Sequence, residues 1–173
     1  VVFADDTRAS DGAGEAQWNL FTELGESDRL LEDASALCEM LFQEHVRTAP
    51  DPYAASAARD LMLALVVYLC RQDDPSLRNN ETLRGLIDGF DAESMLSILE
   101  PAGKRAQSVV GALQQAAREL LQGRFNAAGS LGMRNTVRRK GGKVVFVCYD
   151  PQRGRMTGPV FATLLDLCLQ EVL

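Results

Sequence analysis

The hydrophobic pattern centres on Tyr53–Cys70, YAASAARDLMLALVVYLC, whose last ten residues, Leu61–Cys70, carry no charge. Ala54, Ala55, Ala57 and Ala58 precede that run and are strong helix formers. Asp51 can cap the start and Pro52 suits the first helical position. The stretch predicts a helix of about five turns. Its second half is apolar all round, so burial on every side is expected. It is too short for a membrane span, which takes about 20 apolar residues. We therefore read it as the central helix of a helical core.

On either side the helical period persists. Ser27 is an N-cap candidate with Asp28 in the first turn, and the helix runs to about Glu44. Leu30, Ala34, Leu37, Cys38, Leu41 and Phe42 recur on one face, and Glu32, Asp33, Glu39 and Glu44 make an acidic outer surface. After Asp73-Asp74-Pro75, Asn80 is expected to cap a helix over 81–89, and Asp91 a short one over 92–99. Lys104–Gln122 predicts a long helix stopped by Gly123, and a short one is expected near 131–137.

The two ends have another character. Val1–Ala4 reads as a short buried strand, followed by a polar loop over 5–15 and by Trp18-Asn19-Leu20-Phe21 as an apolar anchor. Lys143–Asp150, KVVFVCYD, reads as a strand, and its apolar residues Val144–Cys148 indicate burial on both faces, as in a parallel sheet. Pro159 is expected to open a final helix to Leu173. The fold class is thus mainly α: an all-helical bundle inserted in an α/β domain, with two flanking strands of the parent sheet. The expected division is 1–25 and 141–173 for the parent α/β domain and 26–140 for the helical domain. At 173 residues the chain suits one domain with a small appendage.

Charge adds an asymmetry. The net charge is −6, but residues 1–100 hold 20 acidic and 7 basic side chains, a net of −13, and residues 101–173 a net of +7. One face could meet an anionic partner while the other repels it. The basic candidates are Arg134, Arg138, Arg139, Lys140 and Lys143, joined by Lys104 and Arg105. Clustered cations bind phosphates through counterion release, without sequence preference. The same residues could equally cap a helix C-terminus and solubilise a loop.

Little else suggests chemistry. The phosphate-loop pattern G-x-x-x-x-G-K-[ST] and the nucleophile pattern G-x-S-x-G are both absent. Cys38, Cys70, Cys148 and Cys168 have no metal-type spacing and read as free thiols in a reducing compartment, and His45 beside Cys38 does not make a zinc site. No metal, cofactor or catalytic residue is expected within the chain. Asp5, Asp6 and Asp150 follow strands and are the remaining candidates for a magnesium-dependent nuclease or phosphotransferase. VVFADD lacks the features of a signal peptide, and the chain reads as a piece of a longer protein.

The order of features resembles a known family. A buried strand, an acidic loop and W-N-L-F at Trp18–Phe21 come first. The Ala-rich helix ending in V-V-Y-L at Leu69 follows, and R-R-K-G-G-K then leads into V-V-F-V at Arg138–Val147. This arrangement resembles the coupling proteins of conjugation and type IV secretion, the TraD/TraG class. The resemblance implies a RecA-like, hexameric, DNA-translocating ATPase at the cytoplasmic face of the bacterial inner membrane. In that class an all-α domain is inserted in the nucleotide-binding domain. The Walker A loop would lie upstream of Val1 and the Walker B strand downstream of Leu173, so ATP and magnesium would bind outside this chain. The implied partners are DNA, single-stranded and sequence-nonspecific, and a relaxase or effector protein, with the isolated chain a monomer. A free-standing helical adaptor that binds only proteins is the alternative.

Overall fold

The computed structural model describes residues 2–5, 17–24, 28–89, 103–139, 145–148 and 154–172. Two strands, β1 (Val2–Asp5) and β2 (Val145–Cys148), pair in parallel, with Val2 opposite Val145 and Asp5 opposite Cys148. Among the described residues, five α-helices come between them in the chain: α1 (Leu30–Thr48), α2 (Pro52–Cys70), α3 (Asn80–Asp88), α4 (Gly103–Leu120) and α5 (Met133–Arg138). The helix α6 (Gly154–Val172) follows β2. The core forms where α2 packs on α1 and α4, and α6 packs on α1, α4 and α5.

The helix starts show why the local sequence folds as it does. The Asp51 carboxylate accepts from Tyr53 N and Ala54 N, both at 3.1 Å, and Pro52 stands at the first position of α2. α1 buries Ala34, Leu37, Cys38, Leu41 and Phe42 as its spacing predicts, but extends one turn beyond Glu44. It is preceded by Arg29 without a side-chain cap, and Ser27 lies outside the described residues. The expected helix over 92–99 with its cap at Asp91 also lies outside them.

Several expectations are corrected. α2 is not buried on every side: Ala58, Met62, Val66 and Leu69 face the core, whereas Tyr53 and Tyr68 are more than half exposed. The cause is that α1 and α4 cover only part of its circumference. Its 19 residues are long and apolar enough to cross a membrane by length and composition alone, so shortness does not exclude a span. Packing against α1 and α4 makes it a core helix.

The cap of α3 is Asn79, whose Oδ1 accepts from Thr82 N at 2.8 Å. Asn80 is instead a fully buried residue of the helix. α6 starts at Gly154, and Pro159 lies inside it rather than opening it. A proline so near a helix start removes one backbone bond and leaves the rest of the ladder intact.

Gly123 ends the long helix with a left-handed φ of 55° and opens a 3-10 turn, Gly123–Asn126, that drops Phe125 into the core. The Trp18 segment is fixed by a short parallel bridge to Leu131. Leu131 N donates to Gln17 O at 2.9 Å and Asn19 N to Leu131 O at 3.0 Å. Gly129 makes this approach possible, because a Cβ there would lie 2.1 Å from the Gln17 carbonyl oxygen.

Candidate nucleic-acid interface

The basic residues of α5 are positioned by two carboxylates. Asn19 caps a 3-10 turn, Leu20–Glu23, accepting from Phe21 N at 3.1 Å. That turn carries Glu23 under the start of α5. The Glu23 carboxylate accepts from Met133 N, from Arg134 N at 3.0 Å and from the Trp18 indole at 2.9 Å. Burial pushes its pKa above the ordinary carboxylate value, and these donors and the Arg134 charge oppose the shift.

Glu171, on the last turn of α6, is the second carboxylate. Arg138 meets it with two bonds, Nε at 2.6 Å and Nη2 at 2.8 Å. This bidentate pair raises the Arg138 pKa. Arg134 lies behind it, with Nε 3.7 Å from Glu171, Nη2 donating to Gln170 Oε1 at 3.1 Å and Nη1 to Glu23 O at 3.4 Å. The Arg134 side chain is only 14% exposed, against 60% for Arg138. Arg134 therefore ties α5 to α6 and the Trp18 segment, and Arg138 is an outward cation already paired once. Arg139 is exposed.

The remaining candidates are placed elsewhere. Arg105, on the first turns of α4, sits 5.7 Å over the Tyr53 ring at the start of α2. Lys104 shares that turn, and its side chain lies outside the described residues, as do Lys140 and Lys143. The structure places Arg134 and Arg138 on α5 with Arg139 at its C-terminal end, and gives Arg105 a different neighbour. The partners Glu23 and Glu171 escape sequence reasoning because they lie 111 and 33 positions from Arg134 and Arg138.

A cleft of about 410 Å³ lies between α1, α2 and α4. Its polar wall is the pair His45 Nε2–Glu119 Oε2 at 3.0 Å, whereas sequence spacing sets His45 beside Cys38. His45 Nδ1 is buried without a partner. Cys38, Cys70 and Cys168 are free thiols. Burial pushes Cys38 up to about 12 and raises the other two, which favours the thiol over the thiolate at all three. Among the described residues no three His, Cys, Asp or Glu side chains gather as metal ligands. Asp6 and Asp150 lie outside the described residues.

No protein-family model matches the chain, and no curated protein matches it in sequence. A solved structure does match in fold, that of the bacterial conjugative coupling protein TrwB in a trigonal form in complex with sulphate. The TM-score is 0.63 at 17% identity, over 99% of this chain and 40% of that one. The chain thus shares its fold with part of a coupling protein and spans well under half of that protein's length.

Proposed function

We propose that the chain is the substrate-receiving helical module of a conjugative coupling protein, held between adjacent strands of a RecA-like α/β ATPase domain. The observation that carries this reading is the parallel pairing of β1 with β2 around everything from α1 to α5. Parallel strands are normally interior to a covered sheet, so a lone parallel pair points to more strands beside it. α6 supports the same reading. It buries Val160, Leu164 and Leu167 in the bundle and exposes Leu165, Leu169 and Val172 on another side. A helix apolar on two sides suits a position between two layers. The likeness to TrwB supports a role in conjugation.

In this reading the chain does no chemistry. ATP and magnesium bind in other parts of a parent hexamer at the cytoplasmic face of the inner membrane. The helical module meets single-stranded DNA and the relaxase, or an effector protein. Arg139, Lys140 and Lys143 supply the phosphate contacts, and the outward edge of Arg138, already paired with Glu171, adds little. Arg134 holds that segment in place.

Fluorescence anisotropy of labelled single-stranded DNA across a salt series tests this. Binding is expected to weaken linearly in log salt. In the triple variant Arg138→Ala, Arg139→Ala, Lys140→Ala the slope should fall by about 1.4, the share of two phosphate contacts on a single strand rather than three, since Glu171 already neutralises Arg138. A wild type that binds no DNA at low salt would refute direct DNA contact. The internal pairing of Arg134 and Arg138 would then favour the second reading, a helical adaptor for proteins alone.

A further inference from the structure

Arg105 and Tyr53 make a surface that the α5 segment does not include. Arg105 lies in the first turns of α4 and Tyr53 in the first turn of α2, with the guanidinium carbon 5.7 Å from the ring centroid. Arg105 is exposed, and Tyr53 is 63% exposed. Among the described side chains the exposed aromatics are Tyr53 and Tyr68, because Trp18, Phe21, Phe42, Phe125 and Phe161 are in the core. Of the two, Tyr53 is the one with a cation over its ring. Arg105 makes no ion pair among the described residues, whereas Glu171 engages Arg138. The Arg105 charge is therefore free for another anion.

The pair borders a recess of about 310 Å³, whose lining is completed by Asp51, Ala54 and Ser108. Ala54 and Ser108 are small, which leaves room beside the ring. Asp51 Oδ1 is committed to the cap of α2, accepting from Tyr53 N and Ala54 N at 3.1 Å each. Asp51 Oδ2 has no partner among the described residues and remains an acceptor. A ring, a free guanidinium and a carboxylate oxygen thus meet at one small opening between α2 and α4.

We infer that this opening is a nucleobase subsite for single-stranded DNA, separate from the phosphate contacts near α5. Tyr53 supplies the stacking surface, which any unstacked base can use, and Arg105 holds the adjoining phosphate. Asp51 Oδ2 accepts from an exocyclic amine on the edge of the base. Cytosine carries such an amine, whereas thymine turns a carbonyl oxygen to the same position, which a carboxylate repels. The subsite therefore biases base composition without reading a sequence. The inference rests on the proposed DNA-facing role and gives that role a second contact of a different kind, stacking rather than charge.

Anisotropy titrations of labelled oligo-dC and oligo-dT across a salt series test it. The wild type should bind oligo-dC about fivefold more tightly than oligo-dT. Tyr53→Leu should weaken binding of both about tenfold and leave the salt slope unchanged, since stacking releases no counterions. Tyr53→Phe keeps the ring and should recover most of that loss. Arg105→Gln should lower the slope by about 0.7, the share of one phosphate contact on a single strand. Asp51→Asn keeps an N-cap and should erase the preference for oligo-dC. Tyr53, Arg105 and Asp51 are all exposed, so these variants should fold, as checked by circular dichroism. Unchanged affinity in Tyr53→Leu, with a loss in the α5 triple variant, overturns the subsite and leaves the α5 contact standing. A loss in Tyr53→Leu alone supports the subsite and removes the α5 contact. Equal binding of oligo-dC and oligo-dT overturns the part given to Asp51, and a wild type that binds neither overturns both contacts.

Discussion

Glu23→Ala is expected to lower stability by about 3 kcal/mol, because it strips the acceptor from three N–H groups in a closed site. The indole of Trp18 and the amides of Met133 and Arg134 all donate to that carboxylate. Trp18 is 1% exposed, so water cannot replace the lost acceptor without opening the core. For a domain of this size the loss corresponds to a fall in melting temperature of roughly 6–12 °C. Trp18 is the only tryptophan, so its fluorescence follows the transition directly. Glu23→Gln keeps an oxygen for Trp18 and Met133 but turns an NH₂ toward Arg134 N, and should cost about half as much. Equal stability of wild type and Glu23→Ala would show that the carboxylate does not hold the Trp18 segment to α5.

The same carboxylate gives a pH signature. Its pKa is raised in the folded chain, chiefly by burial. Between the ordinary value of 4.5 and the raised one, the folded state holds more protons at this site than the unfolded state. Glu23 therefore favours folding more as pH falls through that window, and less as pH rises through it. Glu44 and Asp74 have lowered pKa values from their hydrogen bonds with Arg47 and Ser76, and act in the opposite sense. Comparing melts of the wild type and Glu23→Gln across mildly acidic pH isolates the Glu23 contribution. The wild type should gain on the variant as pH drops through the window, and parallel curves would contradict the assignment.

Legibility in the sequence followed the range of the interactions. The start of α2 was readable from Asp51 and Pro52 because capping is decided within three residues. The inward face of α1 was readable because Leu37, Cys38, Leu41 and Phe42 repeat at helical spacing. The full exposure pattern of α2 was not, since it depends on how many neighbours reach the helix. The basic segment was visible as charge, but its pairing with Glu171 and its support by Glu23 depend on tertiary contacts. Sequence therefore marked where cations are and not which of them are already neutralised. The parallel pairing of β1 and β2 could be suspected from apolar runs at the two ends, and only the fold puts them in register.

Asn80→Ala should be the other severe substitution, at about 4 kcal/mol. Two adjacent asparagines, Asn79 and Asn80, stand at the start of α3, and from sequence either could cap it. Asn79 does so, which frees Asn80 for a different task. Its Oδ1 accepts from Leu20 N at 3.0 Å, and its Nδ2 donates to Trp18 O at 3.0 Å and Phe125 O at 2.9 Å. One amide thus joins α3 to the Trp18 segment and to the 3-10 turn at Phe125, with no exposure to water. Alanine leaves one buried donor and two buried acceptors unpaired, and opens a small void beside the Trp18–Phe125 edge contact, whose ring centroids are 6.2 Å apart. Asn80→Asp is the sharper test. It keeps the acceptor for Leu20 N but turns an anionic oxygen toward two carbonyls, which repel it. Protonated, the same group can donate to one of them. Asn80→Asp should therefore be strongly destabilised at neutral pH and recover part of the loss on acidification, while Asn80→Ala shows no such recovery. If the two variants respond alike to pH, the buried amide is not the tie between these three segments.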